Sequence, residues 1–146
     1  MTNNPTMLIV VAAALTNEHG AFLLQRRPQG RAMAGLWEFP GGKVELGETP
    51  ELALIRELNE ELGINVTIDS LHPITFATTQ NDGRGILLLL YHCTKWSGIA
   101  LALDEQILDW VYPDDMDASI MPPADAPFID CLKQLNINQA ANSIKA

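Results

Sequence analysis

The stretch GGKVELGETPELALIRELNEELGI, residues 41–64, joins a glycine-rich turn to a segment that is rich in glutamate. Thr49 is a good N-cap residue, and Pro50 follows at the first helical position, where its missing N–H costs nothing. Gly63 suits the left-handed backbone conformation that often ends a helix. These three residues predict a helix that begins at Pro50 and ends just before Gly63.

The predicted helix has an apolar face and an acidic face. Aliphatic residues at three- and four-residue steps predict the face that packs on the core: Leu52, Ile55, Leu58 and Leu62. Three glutamates fall on the opposite side within an arc of roughly 100°: Glu57, Glu60 and Glu61. Because like charges repel, this pattern has two interpretations. It is either a solvated acidic surface or a site for a divalent cation such as Mg²⁺.

The turn before the helix supports the cation site. Its glycines allow backbone carbonyls or amides to approach a metal ion or a phosphate closely. Arg56 lies directly before Glu57 and can hold a carboxylate such as Glu48 through a bidentate pair.

The rest of the chain alternates strand and turn patterns. With 146 residues, of which 47% are apolar, it fits one globular domain. We expect an α/β fold, with a closing helix in ADAPFIDCLKQLN and helices on both faces of a sheet. The domain is predicted to span residues 1–136, and residues 137–146 to form a flexible tail. The predicted strands are MLIVVAAALT and AFLLQRR, joined as a hairpin, then LWEFPGG, INVTI, PITFATT, ILLLLYHCTKW and ILDWVYP.

Charge and composition limit the partners. The chain has 18 acidic and 9 basic residues, a net charge of −9, which argues against a nucleic-acid polymer. A phosphorylated small molecule would also be repelled unless metal ions intervene. The run LIVVAAAL has no basic residue before it and is too short to span a bilayer, so we expect a buried strand, no membrane partner and a cytoplasmic location. Cys93 and Cys131 are expected to be buried free thiols.

The glycine turn and acidic helix together resemble the Nudix box, G-x5-E-x7-R-E-U-x-E-E-x-G-U, where U is aliphatic. The resemblance implies a Nudix fold, with a mixed β-sheet sandwiched between α-helices, and magnesium-dependent hydrolysis of a nucleoside diphosphate linked to another group. Every fixed position of the box is matched: Gly42, Glu48, Arg56, Glu57, Leu58, Glu60, Glu61, Gly63 and Ile64.

The flanking sequence resembles the MutT-type branch, which includes 8-oxo-dGTP diphosphatases and CTP pyrophosphohydrolases. The similar segments are LLQRRPQGRAMAGLWEFPGGKVELGET and MPPADAPFI. This resemblance implies attack of water on a nucleoside triphosphate, with a monophosphate and pyrophosphate as products. Hydrolysis of ADP-ribose or of a dinucleoside polyphosphate is an alternative, because the box does not select the substrate. A module that binds a nucleotide without cleaving it is disfavoured, because such modules commonly lose box carboxylates. The oligomeric state is left open.

The resemblance also assigns roles to residues of the box and its surroundings. Catalysis is assigned to Glu57, as general base or ligand, with Glu60, Arg56 and Glu48. A downstream carboxylate often joins the metal site; Asp104 is favoured over Glu105, although the branch usually has Glu at this place. The implied ligands for Mg²⁺, or for Mn²⁺, are the Gly41 carbonyl, Glu57, Glu60, Glu61 and Asp104.

Four residues are candidates for binding the nucleotide. Arg27 and Lys43 are assigned to phosphate or base. Phe39 taken by itself is expected in the core, as most aromatic residues are. The MutT-type pattern, by contrast, puts an aromatic side chain at this position beside the nucleobase. Asp125 stands where 8-oxo-dGTP-specific enzymes have Asn. An ionised Asp only accepts hydrogen bonds and so suits the amino group of cytosine or adenine, which predicts a broader substrate range. Its alternative role is to cap the closing helix.

Overall fold

The computed structural model describes residues 6–145 and contains seven strands and two α-helices in that range. The α-helices are α1 (Pro50–Leu62) and α2 (Phe128–Lys145), and three short 3₁₀ turns occupy Ile68–Ser70, Pro113–Asp115 and Ala118–Ile120. The strands are β1 (Met7–Leu15), β2 (Phe22–Arg26), β3 (Trp37–Glu38), β4 (Gly41–Lys43), β5 (His72–Asn81), β6 (Arg84–Cys93) and β7 (Ile107–Val111).

The strands form two sheets. The four-stranded sheet has the order β4-β1-β6-β5, and the three-stranded sheet has the order β3-β2-β7. Strands β1 and β6 are parallel over the whole length of β1, whereas the other neighbours are antiparallel. The prediction of a mixed sheet is therefore confirmed.

Strand β1 separates two hydrophobic cores. Because neighbouring side chains of a strand point to opposite faces, Val11 and Ala13 enter the core beneath α1, whereas Ala12 and Ala14 enter the core beneath α2. The α1 core includes Leu54, Leu58 and Leu62, and the α2 core includes Phe22, Phe39, Phe128 and Leu132. Helices on both faces, as predicted, follow from this alternation.

Helix α1 begins and ends where the sequence predicts. The Thr49 hydroxyl accepts the N–H of Leu52 at 3.2 Å, and Gly63 has the left-handed φ of 71°. The predicted apolar face is partly wrong, because Leu52 is 46% exposed while Ala53 and Leu54 are fully buried. The helix is therefore rotated slightly from the orientation that the leucine spacing predicts.

Two strand predictions are wrong. The hairpin of the first two strands does not form, because β1 and β2 belong to different sheets and only an isolated bridge joins Thr16 to Phe22. The segment INVTI contributes a bridge at Asn65 and leads into a 3₁₀ turn instead of forming a strand. Of its three hydrophobic residues, Ile64 and Val66 are buried and Ile68 is exposed, so tertiary packing accounts for two of them.

Helix α2 is longer than the sequence predicts, since it continues through residues 137–145 to Lys145. Within the described range, no helix is long and apolar enough to cross a membrane. Cys93 and Cys131 are both free; Cys93 is buried and Cys131 is half-buried.

Candidate active site

Arg56 connects the carboxylates of the Nudix-like segment. Its Nε and Nη2 donate to the two carboxylate oxygens of Glu48 at 2.8 and 2.9 Å, which is the predicted bidentate pair. Its Nη1 donates to Glu57 at 2.9 Å and to Glu60 at 3.4 Å, and Nη2 also donates to the Lys43 carbonyl at 3.1 Å. The Arg56 hydrogen bond lowers the pKa of Glu48. One guanidinium thus orients three carboxylates and fixes the turn beside them.

Glu57 and Glu61 form a carboxyl pair one helical turn apart on α1, close enough for each to influence the pKa of the other. Burial, and then the proximity of Glu57, raise the pKa of Glu61 to about 8. Burial also raises the pKa of Glu57, although the contacts of Arg56 oppose it. Their charged forms are disfavoured by desolvation and mutual repulsion, so a cation between them would stabilise both.

The glycine turn lies directly against this pair. The Gly41 N–H donates to Glu61 Oε2 at 3.3 Å, and antiparallel pairing with β1 fixes Gly41 and Gly42 opposite Ala12 and Val11. A Cβ on Gly42 would fall 2.8 Å from Glu57 Oε2 and closer still to its other carboxyl atoms. A side chain at position 42 would therefore occupy the space of the Glu57 carboxyl.

Two buried glutamines that the sequence did not single out support Glu61. Gln25 Nε2 donates to Glu61 Oε2 at 3.3 Å and lies 3.4 Å from Glu38 Oε1. Gln106 Nε2 donates to the Glu61 carbonyl at 2.9 Å and to Gln25 Oε1 at 3.3 Å. Both glutamines are only 6% exposed. Their positions were a sign that could have found them: Gln25 lies within the apolar strand FLLQR, and Gln106 directly precedes ILDWV. A buried amide at such a position needs hydrogen-bond partners.

Asp104 lies across a cleft of about 180 Å³ from the helix. The cleft is also lined by Gly41, Glu61, Gln106 and Arg31. The Asp104 carboxylate accepts two hydrogen bonds from the Arg31 guanidinium, at 2.6 and 2.8 Å, and the Arg31 contact lowers the pKa of Asp104. The adjacent Glu105 does not line the cleft, which favours Asp104 over Glu105 as the downstream carboxylate.

The donor set fits a hard divalent cation, although within residues 6–145 no three acidic, His or Cys side chains already stand together as ligands. Gly41, Glu57 and Glu61 are brought together. Glu60 is largely exposed and turns towards Arg56, and Asp104 is held by Arg31. Burial raises the pKa of Glu57 and of Glu61, so their charged forms are unfavourable unless a cation is bound. Carboxylate oxygens are the ligands that Mg²⁺ prefers, which favours a divalent ion at this place.

The two predicted phosphate-binding cations have different surroundings. Arg27 lines the cleft, where its Nε lies 2.8 Å from Glu38 Oε2 and its Nη1 donates to the Ala32 carbonyl at 3.0 Å. Lys43 is exposed at the end of edge strand β4, and its carbonyl joins it to Arg56. Glu38 is mostly buried, and burial raises its pKa above the ordinary value.

Phe39 and Asp125 meet beneath α2. The Phe39 ring is 3% exposed and packs against Phe128 with ring centroids 6.2 Å apart, so it belongs to the core here and offers no open stacking face. The Phe39 N–H donates to the Asp125 carboxyl at 3.1 Å. The Phe128 N–H is instead accepted by the Asp125 backbone carbonyl, so the carboxyl is not engaged as the predicted cap of α2 at that position.

Burial gives Asp125 unusual acid–base chemistry. Asp125 is only 5% exposed. Burial, and then the proximity of Glu38, raise the pKa of its carboxyl to about 7. Near neutral pH the carboxyl is therefore present in both forms. The neutral form donates a hydrogen bond as well as accepting one, whereas the ionised form only accepts.

Comparison with known proteins assigns this arrangement to a family. The NUDIX domain family matches residues 6–132. The chain belongs to the Nudix family. It is 36% identical over 135 residues to the CTP pyrophosphohydrolase of Escherichia coli K12, covering 92% of this chain and 98% of that protein. It is 35% identical over 130 residues to the 8-oxo-dGTP diphosphatase of the same strain, covering 88% of this chain and 98% of that protein.

Solved structures agree with this assignment. The E. coli ORF135 protein superposes with a TM-score of 0.78 at 36% identity, covering 90% of this chain and 92% of that chain. A MutT structure from work on Aliivibrio salmonicida and Vibrio cholerae gives a TM-score of 0.73 at 29% identity, covering 88% of this chain and 99% of that chain. The predicted Nudix fold and MutT-type resemblance are confirmed, and the chain is a hydrolase of this family.

Proposed function

We propose that this Nudix hydrolase is a magnesium-dependent nucleoside triphosphate pyrophosphohydrolase that releases a nucleoside monophosphate and pyrophosphate. The observation that carries the proposal is the half-buried pair of carboxyls Glu57 and Glu61, which Arg56 and the Gly41 N–H hold beside the cleft. Burial raises the pKa of both carboxyls, so a bound cation would stabilise their charged forms. Relatives named CTP pyrophosphohydrolase and 8-oxo-dGTP diphosphatase support the same reaction class.

The chain's own groups divide the work of the reaction. Gly41, Glu57, Glu60, Glu61 and Asp104 would hold Mg²⁺, or Mn²⁺ in its place. When bound, such an ion neutralises charge on phosphate oxygens and activates water. Glu57 serves as a ligand or accepts the proton of the attacking water.

The supporting residues orient the carboxylates and the substrate. Arg56 fixes the orientation of Glu57 while it is itself fixed by Glu48. Lys43, and Arg27 while it keeps its contact with Glu38, bind the phosphates. Water attacks an internal phosphorus, the bond from that phosphorus to the oxygen that bridges the α and β phosphates breaks, and the nucleoside monophosphate and pyrophosphate separate.

Base selection is assigned to Asp125, which lies next to the Phe39 backbone. In its ionised form the carboxyl accepts from the amino group of cytosine or adenine, and in its neutral form it can also donate to the O6 atom of an oxidised guanine. A pKa of about 7 makes both forms available. We therefore infer a broad enzyme that removes modified nucleotides such as 8-oxo-dGTP from the cytoplasmic nucleotide pool and also cleaves CTP or dCTP.

The alternative functions differ in substrate. ADP-ribose and dinucleoside polyphosphates contain the same phosphoanhydride bonds, but the named relatives at 35–36% identity favour nucleoside triphosphates. A binding module without activity is disfavoured because Glu57, Glu60 and Glu61 are all present.

A substrate panel with Mg²⁺ tests the proposal. It contains 8-oxo-dGTP, dGTP, CTP, 5-methyl-dCTP, ADP-ribose and a dinucleoside tetraphosphate, and products are separated by chromatography. We expect monophosphate and pyrophosphate from the triphosphates, with kcat/KM highest for a modified or cytosine nucleotide. A kcat/KM that is highest for ADP-ribose or for the tetraphosphate would reject the substrate class.

The variant Asp125→Asn tests base selection within the same panel. Replacing the carboxyl by an amide should shift the kcat/KM ratio of 8-oxo-dGTP over CTP towards 8-oxo-dGTP by roughly 1–3 kcal/mol, the value of one bidentate base contact. An unchanged ratio would remove Asp125 from the specificity site.

A further inference from the structure

We propose that Arg31 is a further substrate-binding residue, which exchanges Asp104 for a phosphate group of the nucleotide when Asp104 binds the divalent cation. The inference rests on the proposed function and deepens it, because it names a residue for the triphosphate that neither the Nudix box nor its MutT-type flanks assign. It also predicts that cation and nucleotide binding depend on each other through one ion pair.

The geometry places Arg31 at the reaction site. It belongs to the loop between β2 and β3, whereas Asp104 belongs to the segment between β6 and β7, and their side chains meet through two parallel hydrogen bonds of 2.6 and 2.8 Å. Both residues line the cleft that contains Gly41 and Glu61. A guanidinium that forms a bidentate pair with a carboxylate has the shape and charge to bind a phosphate in the same way.

Asp104 is the fixed partner of the pair. The backbone N–H of Asp104 donates to Gln106 Oε1 at 2.8 Å, and Gln106 is anchored to the Glu61 carbonyl. The N–H of Leu103 also donates to the Glu61 carbonyl, at 3.1 Å. These bonds tie the Asp104 segment to the end of α1, so Asp104 stays near the carboxyl pair whether or not Arg31 holds it.

Arg31 is the free partner. It is exposed and follows Gly30, beside which there is open space for a side chain. The side chains of Arg31 and Asp104 are 51% and 42% exposed. Ion pairs at such exposure contribute little to stability, so a divalent cation on Asp104 or a triphosphate on Arg31 can replace the pair at small cost.

The other arginine of the cleft is less able to exchange partners. Arg27 is bound to Glu38, which is mostly buried, and to the carbonyl of Ala32. Releasing Arg27 would leave the Glu38 carboxylate buried without its cation, which is costly. Of these two cleft arginines, Arg31 can leave its carboxylate with the smaller penalty, because Asp104 then gains the metal ion.

The test measures binding rather than turnover. Mn²⁺ binding to the full-length protein without nucleotide is followed by electron paramagnetic resonance, and binding of α,β-methylene-CTP with Mg²⁺ is followed by calorimetry. In Arg31→Gln, Mn²⁺ should bind more tightly by up to about 5-fold, because the competitor for Asp104 is gone. The analogue should bind roughly 10–100-fold more weakly, as expected for a lost charge-assisted contact.

Two control variants test whether tighter Mn²⁺ binding and weaker analogue binding are specific to the loss of Arg31. Lys133→Gln removes a positive charge from another surface ion pair, Lys133 to Asp114 at 3.9 Å, and should change neither affinity. Asp104→Asn should weaken Mn²⁺ binding. If Arg31→Gln changes neither affinity, or weakens the analogue without tightening Mn²⁺, the exchange is refuted. If the unaltered protein binds neither probe, the proposed function fails and this inference falls with it; Glu57→Gln, which should weaken Mn²⁺ binding, tests that function separately.

Discussion

Replacing Gly42 by alanine should inactivate the enzyme while leaving it folded. The added Cβ would lie 2.8 Å from Glu57 Oε2 and within 3.0 Å of the other carboxyl atoms. To reach an ordinary contact distance, the carboxyl has to move by about 1 Å. The displaced atoms are the end of a flexible side chain, so the backbone of β4 and α1 need not shift.

The expected magnitude follows from the role proposed for Glu57. A displacement of about 1 Å at a catalytic group can cost roughly 10²-fold in rate. We therefore expect kcat for CTP hydrolysis at saturating Mg²⁺ to fall by about 10²-fold, while the melting temperature changes by less than about 3 °C. Pyrophosphate release in a coupled assay and thermal unfolding by circular dichroism measure the two quantities.

Gly41→Ala is the matched comparison. A Cβ at Gly41 would collide with the backbone of Val11 and Ala12 in the central strand β1, which cannot move aside. That variant should lose about 3 kcal/mol or more of stability, as overpacking against a rigid neighbour does. Alanine at two adjacent positions should therefore have different effects: Gly42→Ala should lose activity, and Gly41→Ala should lose stability.

A double variant tests whether Gly42 acts through Glu57. Glu57→Gln has already lost the function that the displacement would impair, so Gly42→Ala should add little to it, since groups that act as a unit are non-additive. A further loss of about 10²-fold in the double variant, or near-normal turnover in Gly42→Ala alone, would refute the reasoning.

Four other variants have defined outcomes. Glu61→Gln, and likewise Glu60→Gln, should lower kcat by roughly 10²–10⁴-fold at saturating Mg²⁺ in steady-state assays, and near-normal turnover would show that the site is wrongly assigned. Arg56→Lys keeps the positive charge but loses the bidentate pair to Glu48 and the bond to the Lys43 carbonyl. The free energy of unfolding should therefore fall by about 2 kcal/mol and the melting temperature by several degrees. An unchanged melting temperature would contradict the role of Arg56 in holding the carboxylates and the turn together. Asp125 has a folded pKa of about 7, above its unfolded value near 4, so its ionisation destabilises the fold progressively as pH rises from about 4 to 7 and no further above that. Denaturant titrations should therefore find Asp125→Asn gaining stability relative to the unaltered protein across that interval, by up to roughly 4 kcal/mol, and a pH-independent difference would refute the shifted pKa.

The local features of the fold were predictable because their causes are local. Thr49, Pro50 and Gly63 set the ends of α1 through capping and backbone conformation, which neighbouring residues decide. The Arg56–Glu48 pair followed from the same short segment. The exposed Leu52 was not predictable, since the spacing of leucines does not distinguish it from the small buried Ala53 one position later.

Features that depend on distant parts of the chain were missed. Whether β2 pairs with β1 or with β7 depends on which edge the later strands occupy, and two adjacent apolar runs give no information on that. Gln25 and Gln106 meet at Glu61 although they are far apart in sequence. The Arg31–Asp104 pair likewise joins two loops. Long-range polar contacts of this kind leave only one weak trace in a sequence, a polar residue at a position that should be buried.

The most direct test of the central claim is a ³¹P NMR time course of CTP and of 8-oxo-dGTP hydrolysis with Mg²⁺, run on the unaltered protein and on Glu61→Gln. The unaltered protein should convert each triphosphate to its monophosphate and pyrophosphate in equal amounts, and addition of EDTA should stop the reaction. Glu61→Gln should leave the triphosphate signals almost unchanged over the same time. Orthophosphate together with a nucleoside diphosphate, or equal turnover by the two proteins, would contradict the account.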